Sequence, residues 1–370
     1  MKKLIYVGCF AVLLVAAGAC KEKEIDDEKT EGVTWRYENG TLTFSGKGEM
    51  PKDGFVTPWY DYRNSTTTVV IENGVTSISD RAFMYYSNLT SITIPNSVKT
   101  IGEGAFYECR RLTSIAIPNG ITNIKNGTFC YTGLTSVTIP NSVKTIGDEA
   151  FAGCDSLTFI TIPNSAISIG DKAFIGCSSL TSVTIPNSVT SIGNGAFATC
   201  HSLSSIIIPN SITCIEVGTF VECINLKSVT IPNSVTTIGD RAFRFCHSLS
   251  SIILPNSITN IGEKVFSECY DLDSISIPAG VTTIEESTFY GCVNLVSVTI
   301  PNSVIEIKNW AFCGCLKLTS ITNFNPKPSS IDLFTFNLVN QTNCTLKVPA
   351  SAVSAYQNAE VWKEFNIVGM

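Results

Sequence analysis

The sequence predicts a β-rich solenoid. It should hold about eleven to twelve stacked units of 23 residues with parallel strands, an N-terminal β cap and a C-terminal strand–helix cap. Three observations predict it. Prolines recur at Pro95, Pro118, Pro140, Pro163, Pro186, Pro209, Pro232, Pro255, Pro278 and Pro301, every step 23 residues except the 22 between Pro118 and Pro140. Phenylalanine keeps one fixed place in eleven successive copies, from Phe83 through Phe197 to Phe312. Between these markers, short β-branched runs alternate apolar and hydroxyl residues, as half-buried strands do. A period of this length overrides the two or three ordinary domains that 370 residues otherwise imply.

Residues 1–19 are not part of the fold. Lys2 and Lys3 precede the mostly apolar run Leu4 to Ala19, and the small residues Ala16, Ala17, Gly18 and Ala19 lead into Cys20. That is a secretory signal, too short for a comfortable membrane span. Small residues ending in Cys resemble the signal of bacterial lipoproteins, a resemblance that implies cleavage before Cys20 and lipid on it. Ala17 stands where Leu is commoner in that family, and a plain signal cut at Ala19 is the alternative. Residues 20–31, with the run Lys21-Glu22-Lys23-Glu24-Ile25-Asp26-Asp27-Glu28-Lys29, are too charged to bury surface and read as a flexible tether. The run also resembles the acidic signal that sends Bacteroidetes lipoproteins to the outer leaflet, which implies an outer-membrane-anchored, surface-exposed protein.

Residues 32–66 form the N-terminal β cap. "VTWRYENGTLTFSGKGEM" alternates like a hairpin with Asn39-Gly40 as its turn. Residues 67–325 are the array. Numbering each unit from its first Leu, the consensus is L-x-x-I-x-I-P-N-S-V-x-x-I-G-x-x-A-F-x-x-C-x-x. Positions 3 to 6 make a short strand with positions 4 and 6 toward the core and the Ser/Thr of 3 and 5 outward. Pro at 7 ends the strand, because it has no N–H for the ladder. Asn-Ser turns the chain, positions 10 to 13 form a second extended run, and Gly at 14 is expected to permit a tight bend. Ala-Phe-x-x-Cys closes the unit in a turn, read as up to one helical turn. No unit buries its own apolar residues; stacking buries them all in one continuous core. Residues 326–370 form the C-terminal cap. There Leu346-Lys347-Val348-Pro349 repeats the strand–Pro phrase, and Ser351 to Phe365 places Val353, Tyr356, Val361 and Trp362 at helical intervals.

Cysteine occupies position 21 in nine copies, Cys109 and Cys154 through Cys315, while Tyr86 and Thr132 take the same slot in two others. A slot that accepts Cys, Tyr or Thr is a packing slot, so these thiols are expected to be free and buried. An unbroken ladder of equivalents offers no unique disulfide pairing, and it lacks the paired spacing of a metal site.

Composition narrows the function. Hydrophobic residues make up 44 % and charged residues only 15 %, with net charge −6, so the surface is built from Ser, Thr and Asn and nucleic-acid binding has no electrostatic footprint. The two histidines, His201 and His247, both follow the ladder Cys at a place that elsewhere holds Arg110, Ser178 or Leu316; they read as variable turn residues, not ligands. No phosphate loop and no H-E-x-x-H motif occurs. The acidic residues Glu103, Asp148, Asp171, Asp240, Glu263 and Glu285 read as a solvated rim, so no catalytic residue, metal or cofactor is expected. Asp155-Ser156-Leu157 and Asp273-Ser274-Ile275 resemble Bacteroidetes O-glycosylation sites.

The repeated phrase resembles the BspA-like, type 5 leucine-rich repeat of bacterial surface proteins over about residues 67–325. The lead "GTLTFSGKGEM…PW" and the tail "VPASAVSAYQNAEVWKEF" also resemble segments flanking such arrays. The resemblance implies an adhesin that takes a protein ligand, a host matrix component or another bacterial surface. The alternatives are a structural envelope protein, or a glycan-processing accessory or enzyme with a shallow site on the strand face. The residues offer one candidate ligand face: Phe159 at position 3 and Ile207 and Ile253 at position 5 interrupt the outward hydroxyls.

Overall fold

The computed structural model describes residues 32–51 and 56–370. The signal, the tether and Cys20 lie outside the described residues. Most units contribute two short strands, and where a ladder forms a strand pairs in parallel with its equivalent one unit away. In the first column Phe159–Thr161 lies between Ser136–Thr138 and Ser182–Thr184, in the register Ile160 opposite Val137 and Val183. In the second, two-residue strands such as Thr145–Ile146 and Ser168–Ile169 pair in the same way. The inward residues of both columns are buried except Ile92, Ile94 and Ile115, which are partly buried, and the position-1 leucines are buried throughout.

The spine forms as expected. From Phe106 to Phe312 every ring is buried, and successive rings stack with centroids 5.3 to 5.8 Å apart. It also runs one ring further, to Phe336, which stacks on Phe312 at 5.3 Å. That step is 24 residues, and Phe324 and Val339 stand where the phrase has Pro and Cys, so the repeat does not mark Phe336.

The turn that carries the Phe is not helical. Positions 16 and 20 are left-handed in every unit from that of Phe83 to that of Phe312, whatever residue occupies them: Lys172, Arg241 and Trp310 at 16, and Thr199, Glu222 and Phe245 at 20. The N–H groups then alternate in direction. Ala173, Ile175 and Cys177 donate within their own unit to Gly170, Lys172 and Phe174, while Lys172, Phe174 and Gly176 donate to Asn194, Ala196 and Ala198 of the next. The turn is therefore a third hydrogen-bonded ladder, which leaves few orphan amides.

Gly at position 14 is a correction of reason. It is absent from the left-handed glycines. A Cβ at Gly193 would instead meet the backbone nitrogen of Asp171 at 2.5 Å, and one at Gly170 that of Asp148 at 2.6 Å. At these glycines neighbouring units touch and the chain does not bend; Lys125, Glu216, Glu285 and Lys308 hold the same column in other units.

The strand column is not continuous. Among the described residues, no ladder pairing joins Ala116 or Ile253 to either neighbouring unit, or Ile207 to Thr184. Where neighbouring position-5 residues both carry hydroxyls, the ladder forms: Thr138 with Thr161, Thr161 with Thr184, Ser276 with Thr299 and Thr299 with Thr322. Ile207 does pair with Thr230 on its other side. Cross-strand Thr pairs stabilise a ladder by about 0.2–1 kcal/mol each, and the breaks coincide with units that lack one.

At the N-terminal end, Val33–Glu38 and Thr41–Gly46 form the predicted hairpin, with Asn39 and Gly40 both left-handed as its turn requires. The second hairpin strand pairs in parallel with Thr68–Ile71 and so starts the array. Trp59, fully buried, donates its indole N–H to the Ala82 carbonyl at 2.7 Å. At the other end, Thr345–Val348 is the predicted strand, but the expected helix is short and split. Only Val353–Gln357 is α-helical, and Val361 is left-handed. The chain then adds an unpredicted strand, Asn366–Gly369, parallel to Thr345–Val348. Tyr356 and Trp362 nonetheless cover the last unit, their polar atoms bonded to the Asn325 and Ser329 carbonyls at 3.0 and 2.9 Å.

Candidate functional site

The cysteine ladder is a packing element with one polar contact that spacing alone does not reveal. Each thiol donates to the carbonyl of the Phe one unit back: Cys200 to Phe174 at 3.3 Å, Cys223 to Phe197 at 3.1 Å, and Cys246 to Phe220 at 3.2 Å. All thirteen described cysteines are free, and twelve are buried. Burial raises the thiol pKa values, to about 12 at Cys223 and Cys292. Such thiols are neutral and unreactive at ordinary pH. In the shortened unit Thr132 bonds the Phe129 carbonyl instead, at 2.9 Å.

The acidic residues at position 15 do more than line a rim. Asp148 Oδ1 accepts the backbone N–H of Asp171 at 2.8 Å, Asp171 that of Asn194 at 2.7 Å, and Asp240 that of Glu263 at 2.9 Å. Asp240, Glu263 and Glu285 share a groove of 390 Å³. None of the three is buried, and Glu285 is paired with Lys308 at 2.6 Å. The converging buried carboxylates that the enzyme reading requires are not formed by this groove. Among the described residues no group of three or more His, Cys, Asp or Glu is placed to hold a metal ion. His247 stacks on Tyr270 at 4.4 Å and is a packed turn residue. Of the two glycosylation-like motifs, Ser156 lies in a turn and Ser274 in a strand, and both are exposed.

On the strand face, the outward positions are exposed hydroxyls, and the three interruptions stand among them. Phe159 is 51 % exposed, Ile207 69 % and Ile253 84 %. Phe159 sits within an intact ladder between Ser136 and Ser182. Ile207 borders the broken ladder between Ser182–Thr184 and Ser205–Ile207. There a groove of 580 Å³ opens, lined by Thr184, Asn187, Ser205, Ile207, Asn210 and Pro232 among others. Ile253 stands in the segment without ladder partners. The face thus offers apolar groups, hydroxyls, amides and a groove in one place, with no charge lining that groove.

The opposite, turn face holds exposed apolar residues that the consensus treats as free positions. Leu333, Phe334 and Leu338 are exposed near the C-terminal end, close in register to Trp310. They could have been found by reading columns 16 and 20 as outward positions, which the glycines that stand there in several copies, such as Gly104, Gly195, Gly153 and Gly291, mark as left-handed.

The profile of the BspA-type leucine-rich repeat region matches residues 59–178, 144–273 and 259–367, in six copies. The chain belongs to this family. A leucine-rich cell surface protein from Faecalibacterium prausnitzii is 31 % identical; the match covers 80 % of this BspA-type chain and 93 % of that one, with a TM-score of 0.51. A leucine-rich repeat protein from Bacteroides ovatus is 27 % identical over 80 % of this chain and 94 % of its own, also with a TM-score of 0.51. A third, from Eubacterium ventriosum, is 24 % identical, covers 92 % of this chain and 91 % of that one, and has a TM-score of 0.57; it shares the fold. No curated protein matches the chain. Among the described residues of this BspA-type repeat protein, no helix is long and apolar enough to cross a membrane.

Proposed function

We propose that this BspA-type protein is a protein-binding module displayed at the cell surface, that its strand face takes the partner, and that a lipid on Cys20 anchors it in the outer membrane. The observation that carries the reading is the trio Phe159, Ile207 and Ile253, large apolar groups in a field of hydroxyls, with a groove beside Ile207. A solitary exposed apolar side chain is ordinary; three on one strand face, with uncharged polar groups around them, match the makeup of an interface. Low charge favours a partner held by area and hydrogen bonds, with little dependence on salt. Surface display is supported by the Faecalibacterium relative, which is described as a cell surface protein. The anchor rests on the sequence before Cys20.

The test is capture from host and bacterial surface extracts by residues 32–370, followed by the triple variant Phe159→Ser, Ile207→Thr and Ile253→Thr. The reading expects unchanged melting and capture reduced at least tenfold, about 1.4 kcal/mol. Unchanged capture rules out this face. The anchor is tested separately: Cys20→Ala should abolish incorporation of a labelled lipid precursor and release the protein from the membrane fraction.

A further inference from the structure

The turn face carries a cleft of 380 Å³ that the strand-face reading does not use. The repeat itself builds it. Position 16 is left-handed and sets Lys264, Ser287 and Trp310 in one column, with Ser287 buried between its neighbours in the column. Position 19 supplies a second column, with Arg244, Tyr290 and Asn337. Two aromatic rings therefore line the cleft, Trp310 42 % and Tyr290 40 % exposed.

These rings differ from the other surface aromatics. Tyr85, Tyr107 and Tyr131 pack edge to face in series at 5.6 and 5.8 Å, and Tyr270 is covered by His247. Among the described ring contacts, neither Trp310 nor Tyr290 takes part in one. Both rings are partly exposed, and each is able to bury apolar area against a ligand.

The polar lining is mixed and sums to zero charge. Arg244 and Lys264 face Glu268 and Glu286. Lys264 pairs with Glu286 at 3.3 Å, and Glu268 accepts the Tyr270 hydroxyl at 2.8 Å. The Arg244 guanidinium lies over the Phe245 ring at 4.2 Å, and its buried Nε has no hydrogen-bond partner. Asn337 is exposed and adds an amide with both donors and an acceptor. A phosphate or a polyanion would need an excess of positive charge, and a bare cation would need an excess of negative charge. Exposed aromatic rings beside balanced donors and acceptors suit a ligand that is neutral, has apolar ring faces and carries many hydroxyls. The volume lies within the range of small-ligand sites, about 300–1,000 Å³.

We infer that this cleft binds a neutral oligosaccharide. Its sugar rings lie on Trp310 and Tyr290, and its hydroxyls bond to Arg244, Glu286 and Asn337. The site lies on the turn face, so it stands or falls independently of the strand-face reading.

The experiment uses full-length protein and tryptophan emission. The chain has four tryptophans; Trp59 and Trp362 are fully buried, and Trp35 is partly buried against Trp59 and Tyr62 in the N-terminal cap, so Trp310 is the tryptophan that reports ligand in the cleft. The probes are cellohexaose, mannohexaose, xylohexaose and maltohexaose, with anionic oligogalacturonate and trimethyl-lysine as charged controls. At least one neutral probe should shift the emission saturably in the millimolar range or below. Isothermal calorimetry, which does not depend on Trp310 for its signal, should then show Trp310→Ala and Tyr290→Ala weakening that probe at least tenfold. Trp310→Phe should retain most of the affinity, the melting temperature should hold, and the strand-face triple variant should bind the sugar normally. The inference is overturned if all four neutral probes fail at millimolar concentration, if affinity survives Trp310→Ala, or if only a charged control binds.

Discussion

Phe197→Ala probes how the array holds together. The ring is fully buried and stacks between Phe174 at 5.3 Å and Phe220 at 5.8 Å, nearly parallel to both. Burying a Phe side chain is worth about 1.5–3 kcal/mol, and each aromatic pair adds about 0.5–1.5 kcal/mol. The substitution removes all three contributions and leaves a cavity between neighbours that cannot close, so the expected cost is about 3–5 kcal/mol, the range for deleted core aromatics. The backbone contacts stay: Phe197 N–H to the Thr219 carbonyl at 2.9 Å, and its carbonyl to the Cys223 thiol at 3.1 Å. Phe197→Leu keeps most of the volume and should cost about 1–2 kcal/mol, chiefly lost stacking. Units couple only to neighbours, so the damage starts locally. Hydrogen exchange followed by mass spectrometry should accelerate first over residues 175–220, while amides near Phe289 and Phe312 keep their protection. A silent substitution, or exchange that rises equally along the whole array, refutes this reasoning.

Two further predictions concern the turn and the thiols. Gly193→Ala should destabilise by several kcal/mol, because its Cβ meets the Asp171 nitrogen at 2.5 Å. By contrast, Thr199→Gly should stabilise by up to about 1 kcal/mol, because it relieves a left-handed non-glycine residue; chemical denaturation of both variants measures the contrast. Apart from Cys154, the buried thiols have folded pKa values raised above the usual value near 9, to about 12 at Cys223 and Cys292, by desolvation. Their contribution is therefore intact below pH ~9 and is lost as pH rises toward 12, because the unfolded chain ionises first, at up to about 1.4 kcal/mol per pH unit per thiol. Melting against pH should fall steeply across that window, and a titration with thiol reagent should be slow in native protein and near thirteen in denaturant. Flat alkaline stability, or a count near zero, contradicts the packing role.

The period, the Phe spine, the strand–Pro phrase and the Asn39-Gly40 hairpin were legible because each is a local chemical choice repeated in register. What stayed hidden is what depends on contact between units. Gly193 and Gly170 are visible as glycines, but the neighbouring backbone they touch is not. Positions 16 and 20 are left-handed from the Phe83 unit to the Phe312 unit, and Gly stands there in some copies (Gly104, Gly195, Gly153, Gly291), but Lys172, Thr199 and Glu222 stand there in others, so the glycines form no unbroken column. Asp171 looks like a surface acid until its acceptor role toward Asn194 is seen. The tail pattern of Val353, Tyr356, Val361 and Trp362 correctly marked a buried face, but left-handed Val361 splits the helix that the spacing implied. The exposure of Phe159, Ile207 and Ile253 followed from alternation alone. The ladder breaks beside Ile207 and Ile253 did not, and neither did the Trp310–Tyr290 cleft, which falls in columns that the consensus leaves blank.

The most direct test of the strand face as the binding surface is a hydrogen-exchange footprint of the complex with whatever partner the capture identifies. Slowed exchange in the peptides that contain Phe159–Thr161, Ser182–Thr184, Ser205–Ile207 and the segment around Ile253, with the turns that carry Phe174 to Phe243 unchanged, is the predicted result. Protection confined to those turns or to the two caps, with the four strand segments unchanged, contradicts it.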